Sequence, residues 1–233
     1  MIKIVDSIMG SGKTTWAIAY MNAHPEERFL YVTPYLAEAE RIQNACPSLD
    51  FVLPSEEISK SASLSMLLKD GRNVAISHEL FSRMQMPPSI QQTIADYSYT
   101  LILDEVLDVL TPVPVSPQDT KMIFDTGKIT VDEDGQVTWL DRDYKGEFAH
   151  LKRRADSHTL QWYKESMFLW IFPVEILKAF SNVLGLTFLF SGSHMRSFLD
   201  VHSLPYEICH IQNGELADGE QDLTPAKEKI RQL

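Results

Sequence analysis

The chain has 233 residues, and its 21 Lys+Arg against 32 Asp+Glu give a formal net charge of -11, which excludes capture of a polyanion by bulk charge. A content of 44% hydrophobic and 10% aromatic residues excludes a disordered chain, and the length allows one large domain or two small ones. Only Cys46 and Cys209 are present, so a disulfide framework and a self-contained four-cysteine zinc site are excluded, and a reducing cytoplasmic setting is expected.

The chain opens on the strand-like run Ile2-Lys3-Ile4-Val5, with no basic n-region of a signal peptide. Ser7-Ile8-Met9-Gly10-Ser11-Gly12-Lys13-Thr14-Thr15 follows, with the parts of a phosphate-binding loop in order. Small residues let backbone N–H groups wrap a phosphate, Lys13 serves the outer phosphates and Thr14 offers a hydroxyl to Mg²⁺. The consensus starts with Gly, whereas Ser7 stands here, and a positive φ would suit Ser less than Gly. Apolar residues from Thr15 to Met21 recur at helical spacing, so the loop is expected to end on a helix N-terminus that favours an anion.

A second strand-loop-helix unit is read at 29–32, Thr33-Pro34-Tyr35 and 36–42, and a minor strand at 51–53. A helix-compatible stretch from Ser55 to Lys69 ends at Asp70-Gly71. The strand 73–76 runs into Ser77-His78 and a helix from Glu79 to Met84. Pro87-Pro88 breaks that helix, and Ser89 is expected to cap the next, from Ile90 to about Tyr97. The run Tyr99 to Leu103 reads as a central strand ending in Asp104-Glu105, at the carboxyl end where open parallel sheets hold ligands. Strands alternating with helices imply an α/β fold with a mainly parallel sheet.

From about 107 to 157 the pattern changes. Prolines 112, 114 and 117 mark a loop, and 128–131 and 136–140 around Asp132-Glu133-Asp134-Gly135 read as a β-hairpin, taken as an insertion on the sheet edge. Lys145, Lys152, Arg153 and Arg154 form the densest basic patch, for which a solvated charged face is the preferred reading over a nucleic-acid contact. Helical spacing is read from Ser157 to Asn182 with a break near Pro173, and the apolar run 167–174 is far too short to span a bilayer. A strand is expected at 186–190, terminated by Ser191-Gly192-Ser193, then a short helix and a last strand at 206–211. Residues 213–233 read as a polar linker or tail, leaving 1–212 as the domain.

Nucleotide phosphoryl transfer is catalysed by positioning and charge neutralisation. In that chemistry Lys13 would bridge the outer phosphates, Thr14 and Asp104 would hold Mg²⁺, and Glu105 would polarise the attacking water.

The set GSGKT at 10–14, VTPYLAEAERI at 32–42, ISHELF at 76–81, LILDE at 101–105 and LFSGS at 189–193 resembles the first RecA-like domain of a superfamily 2 helicase, across about 210 residues. Within that family it looks nearest to phage-type replication helicases and origin-binding-type DEAD/DEAH proteins. The resemblance implies a P-loop NTPase fold with flanking helices, with ATP and Mg²⁺ held by Met9, Gly10, Ser11, Gly12, Lys13, Thr14, Thr15 and Asp104, and Glu105 catalytic. It implies nucleic acid, DNA favoured over RNA, at Thr33, Pro34, Tyr35, Ser77 and His78, and coupling of ATP state to strand movement at Ser191 and Ser193. Two departures stand out: the chain has no room upstream for an adenine-reading glutamine segment, and a second RecA-like lobe with its arginine finger is expected in cis or from a partner. A nucleoside or nucleotide kinase and a non-catalytic ATP-binding module are the alternatives; thymidine kinases share the loop and the Asp-Glu strand end but have zinc-binding cysteines without counterparts here.

Overall fold

The computed structural model describes residues 1–84, 87–105 and 107–224, and divides the chain into a loop-bearing unit (1–107 and 175–233) and an inserted unit (108–174). The expected tail over 213–233 therefore lies partly outside the described residues. Among these residues no helix is long and apolar enough to cross a membrane.

In the loop-bearing unit the elements run β1 (Ile2–Asp6), α1 (Lys13–Ala23), β2 (Phe29–Thr33), α2 (Leu36–Ala45), α3 (Lys60–Lys69), β3 (Val74–Ser77), α4 (His78–Arg83), α5 (Pro88–Asp96) and β4 (Thr100–Asp104). In the inserted unit come β5 (Leu110–Val113), α6 (Pro117–Asp125), β6 (Ile129–Val131), β7 (Val137–Trp139), α7 (Ala149–Asp156), β8 (Leu160–Tyr163) and β9 (Met167–Ile171). The chain then passes through α8 (Val174–Ala179) to β10 (Asn182–Thr187), α9 (His194–Val201), β11 (Tyr206–Gln212) and β12 (Glu215–Asp218).

Among the described residues one seven-stranded sheet is ordered β12-β11-β1-β10-β4-β2-β3, parallel except where β12 runs back along β11. Of its strands, β1, β10, β4, β2 and β3 are largely buried on both faces, because a parallel sheet is covered on both sides. On one face Val5, Tyr31, Ala75, Ile102 and Leu186 pack with Ala17 and Met21 of α1 and Ala39 and Ile42 of α2. The alternate residues Ile4, Leu30, Val32, Leu101, Leu103 and Val183 are buried as well. Val5 pairs with Leu186 and Leu186 with Asp104, so the strands carrying the glycine-rich loop and the acidic couple end level, one strand apart.

The inserted unit has its own sheet, β5-β9-β8, and the antiparallel hairpin β6-β7, around a core that includes Ile123, Val137, Trp139, Leu151, Leu160 and Phe168.

Several expectations are corrected. The stretch from Ser157 to Asn182 is not helical: β8 and β9 pair antiparallel through a turn at Lys164 and Glu165, both at positive φ, and only α8 is helix. The inserted unit accordingly runs to Val174 where the sequence suggested about 157. Pro112 lies inside β5, which is tolerated because β5 is an edge strand. Val52 makes only an isolated parallel bridge to Val74, and Pro87, not Ser89, precedes α5 as its N-cap. β10 stops at Thr187, and Phe190–Gly192 is a single 3₁₀ turn. Residues 215–218 form β12 where a tail was expected, closed onto β11 by Asn213-Gly214 with φ of 54° and 86°.

Candidate nucleotide-binding site

The loop between β1 and α1 is fixed at its base and open at its tip. The Ser7 amide donates to the Thr187 carbonyl at 3.0 Å, and the buried Ser7 hydroxyl accepts from the Ile211 amide at 2.7 Å. Ser7 does not adopt a positive φ, so the strain expected of Ser at this position does not arise; its side chain ties β1 to β11. The left-handed positions fall instead on Gly10 (φ 77°) and Gly12 (φ 88°), where a Cβ would meet nothing within 4 Å. Gly12 caps α1, which has neither a side-chain cap nor an acidic residue in its first turn. Its first N–H groups therefore face the loop without a side-chain acceptor. Met9 and Thr15 are exposed, Thr14 is half-buried, and the Ser11 hydroxyl has no hydrogen-bond partner among the described residues.

Lys13 is buried, and its ammonium donates to the carbonyls of Ser7 at 2.7 Å and Ile8 at 3.2 Å. Burial pulls its pKa below the ordinary lysine value, and the negative charges of Glu105, Asp104 and Asp6 oppose that pull. The structure thus brings Lys13 into the field of both members of the acidic couple.

Asp104 is 9% exposed, and its Oδ2 accepts a 2.8 Å hydrogen bond from the Tyr31 hydroxyl. Burial raises its pKa above the usual carboxylate value, against the Tyr31 hydrogen bond and the charges of His78 and Lys13. His78 Nε2 lies 2.9 Å from the Asp104 backbone carbonyl, and a carbonyl only accepts, so Nε2 carries the proton. Glu105 is exposed, its amide donates to the Leu186 carbonyl at 2.9 Å, and its φ of 67° is left-handed, a conformation that non-glycine residues hold at functional sites.

The remaining expected residues fall at neighbouring strand ends. Thr33 is fully buried at the end of β2, with its hydroxyl unpartnered among the described residues, while Pro34 is half-buried and Tyr35 is 71% exposed. The Ser77 hydroxyl caps α4 by accepting from the Leu80 amide. Ser193 caps α9, and Ser191 donates to Glu220 at 3.0 Å.

Three participants escaped the sequence reading. Tyr31 holds Asp104; a tyrosine inside a fully buried strand needs a partner for its hydroxyl, and that was the available signal. The Asp6 carboxylate accepts from the Phe190 amide at 3.0 Å, tying the end of β1 to the turn after β10. Gln221 accepts from the Ile8 amide at 2.9 Å, and nothing in its polar surroundings marks it.

Comparison with known proteins returns the YonV middle domain family, whose model matches residues 110–170, within the inserted unit. The SPbeta prophage-derived uncharacterized protein YonV of Bacillus subtilis (strain 168) is 36% identical over 221 residues, covering 89% of this chain. The chain spans about half, 53%, of that relative's length. No solved structure matches.

Proposed function

We propose that the loop-bearing unit is a P-loop ATPase: the Mg²⁺-dependent, ATP-hydrolysing motor lobe of a nucleic-acid-dependent helicase or translocase, similar to superfamily 2 proteins. The observation that carries this reading is the level register of Val5, Leu186 and Asp104, which puts the strand before the glycine-rich loop and the strand before Glu105 at the same edge of one sheet. At ~4.8 Å per strand step the two strands lie about 10 Å apart, a span a triphosphate can bridge.

The residues present suit such a substrate. Gly10 and Gly12 leave open space above the loop, the Ser11 hydroxyl awaits an acceptor or donor, and α1 offers an uncapped N-terminus. The Lys13 ammonium, which now rests on the carbonyls of Ser7 and Ile8, would turn to the outer phosphates. Thr14 and Asp104 would hold Mg²⁺, which supplies charge neutralisation at the phosphates. Tyr31 and His78 fix the side chain and carbonyl of Asp104, so that this carboxylate is oriented before substrate arrives. The exposed carboxylate of Glu105 would take the proton of the attacking water.

Tyr35, exposed at the end of β2, would meet the nucleic-acid backbone, DNA being favoured. A second RecA-like lobe, in cis or from a partner, would add an arginine finger, worth ~10³ to 10⁵ in rate in related NTPases, so this lobe by itself would turn over slowly.

The test is a titration of the chain with a fluorescent ATP analogue, with and without Mg²⁺, followed by phosphate-release assays with single-stranded DNA. Lys13→Ala should abolish binding, and Glu105→Gln should bind ATP while releasing no phosphate. Absence of nucleotide binding, or transfer of phosphate to thymidine or a nucleoside monophosphate, would overturn the reading.

A further inference from the structure

The inserted unit carries a groove of about 580 Å³ that the nucleotide reading does not use. Its floor is aromatic: Phe124 and Trp162 lie 5.0 Å apart between ring centroids, and Phe168 stacks beneath Phe124 at 6.3 Å. Trp162 is half-buried and Phe124 is 36% exposed, so both rings are reached by solvent. The rim is acidic. Asp132, Glu133 and Glu165 line it, and neither Glu133 nor Glu165 is in an ion pair among the described residues.

The one lysine of the rim, Lys164, lies with its ammonium 5.2 Å from the centroid of the Tyr163 ring and offsets only part of the charge of the three carboxylates. Two pieces of backbone hold the rim in place. Asp132 Oδ1 accepts from the amides of Asp134 and Gln136, which fixes the β6-β7 turn, and the Gly135 carbonyl accepts from the Trp162 amide at 2.8 Å, which ties that turn to β8. Gly135 cannot be replaced without strain, since its φ is 83° and a Cβ would stand 2.8 Å from the Trp162 carbonyl oxygen.

Solvent-accessible aromatic rings bordered by unpaired carboxylates attract a cation with an apolar stem and repel a phosphate backbone. A volume within the ~300–1,000 Å³ range of ligand clefts takes a few side chains. We propose that this groove docks a cationic segment of a protein partner, in which an arginine or lysine lies over Trp162 and Phe124 while the carboxylates of Glu133 and Glu165 pair with it. The charge complementarity selects this occupant over nucleic acid and over an acidic surface. The proposal stands on the inserted unit alone and holds whether or not the other unit takes a nucleotide.

The probes are the heptapeptide Gly-Arg-Leu-Gly-Arg-Leu-Gly, its counterpart with Glu for Arg, and a twelve-nucleotide oligothymidylate, each titrated into the full chain with the indole N–H signal of Trp162 as readout. The arginine peptide is expected to shift that signal, with apparent affinity falling at least fivefold between 50 and 500 mM salt. The double variant Glu133→Lys, Glu165→Lys alters only exposed positions and should lose the arginine peptide and gain the glutamate one. Equal response to both peptides, preference for the oligothymidylate, no response at millimolar peptide, or an unaffected double variant would each overturn the proposal.

Discussion

Replacing Ser7 by the glycine that the phosphate-loop consensus carries should destabilise this protein. The Ser7 hydroxyl is the acceptor for the buried amide of Ile211, and Ser7 itself is only 1% exposed. Removing an acceptor from a buried N–H costs about 1–3 kcal/mol. The added backbone freedom of glycine, at a position whose φ does not need it, costs roughly another 0.5–1 kcal/mol. A total of about 1.5–4 kcal/mol should lower Tm by roughly 3–16 °C for a chain of this size. Urea unfolding followed by circular dichroism, with Ser7→Ala measured beside Ser7→Gly, separates the two contributions: alanine should lose the first alone. A Ser7→Gly protein as stable as the parent would refute the hydroxyl's role and return the position to a consensus variation.

Asp104→Asn should raise stability at neutral pH while abolishing the ATP turnover proposed above. The folded-state pKa lies above the ordinary value of 3.8, so the folded chain holds that proton more tightly than the unfolded one, and ionisation weighs against the fold as pH rises past 3.8. The Tm gap between variant and parent should widen from pH 4 upward; a gap independent of pH contradicts this. Glu105→Gly relieves a left-handed non-glycine residue and should add about 1 kcal/mol of stability by denaturant titration. Burial pushes the Cys209 thiol up to about 11 and raises that of Cys46 as well, so neither should react with a disulfide reagent at pH 8 until urea unfolds the chain; rapid labelling would contradict the packing around them.

The part of the fold legible in the sequence is the part whose signals are local. β1, β2, β3 and β4 are short apolar runs followed by loop residues, and alternation with helices announced a parallel sheet. The segment 160–171 was misread because β9 is the middle strand of its sheet and Phe168 and Leu169, adjacent in sequence, are both buried, which destroys alternation. Its turn also lacks the usual marker: Lys164 and Glu165 take positive φ without Asn or Gly. β12 is the opposite case, since Asn213-Gly214 signalled a hairpin that the polarity of Glu215 and Asp218 concealed.

In the candidate site, motif spacing pointed to Lys13, Asp104 and Glu105, whereas Tyr31, Asp6 and Gln221 make their contacts with residues 73, 184 and 213 positions away, beyond any local pattern.

The position of β1 in its sheet constrains how the chain is made. Both neighbours of this strand, β10 and β11, begin at Asn182 or later. At a synthesis rate of ~5–20 residues per second, the strand that anchors the glycine-rich loop waits roughly ten to forty seconds on the ribosome before either partner exists. Until then its apolar residues have no sheet to join, and a strand translated ahead of both its partners is among the last that can fold.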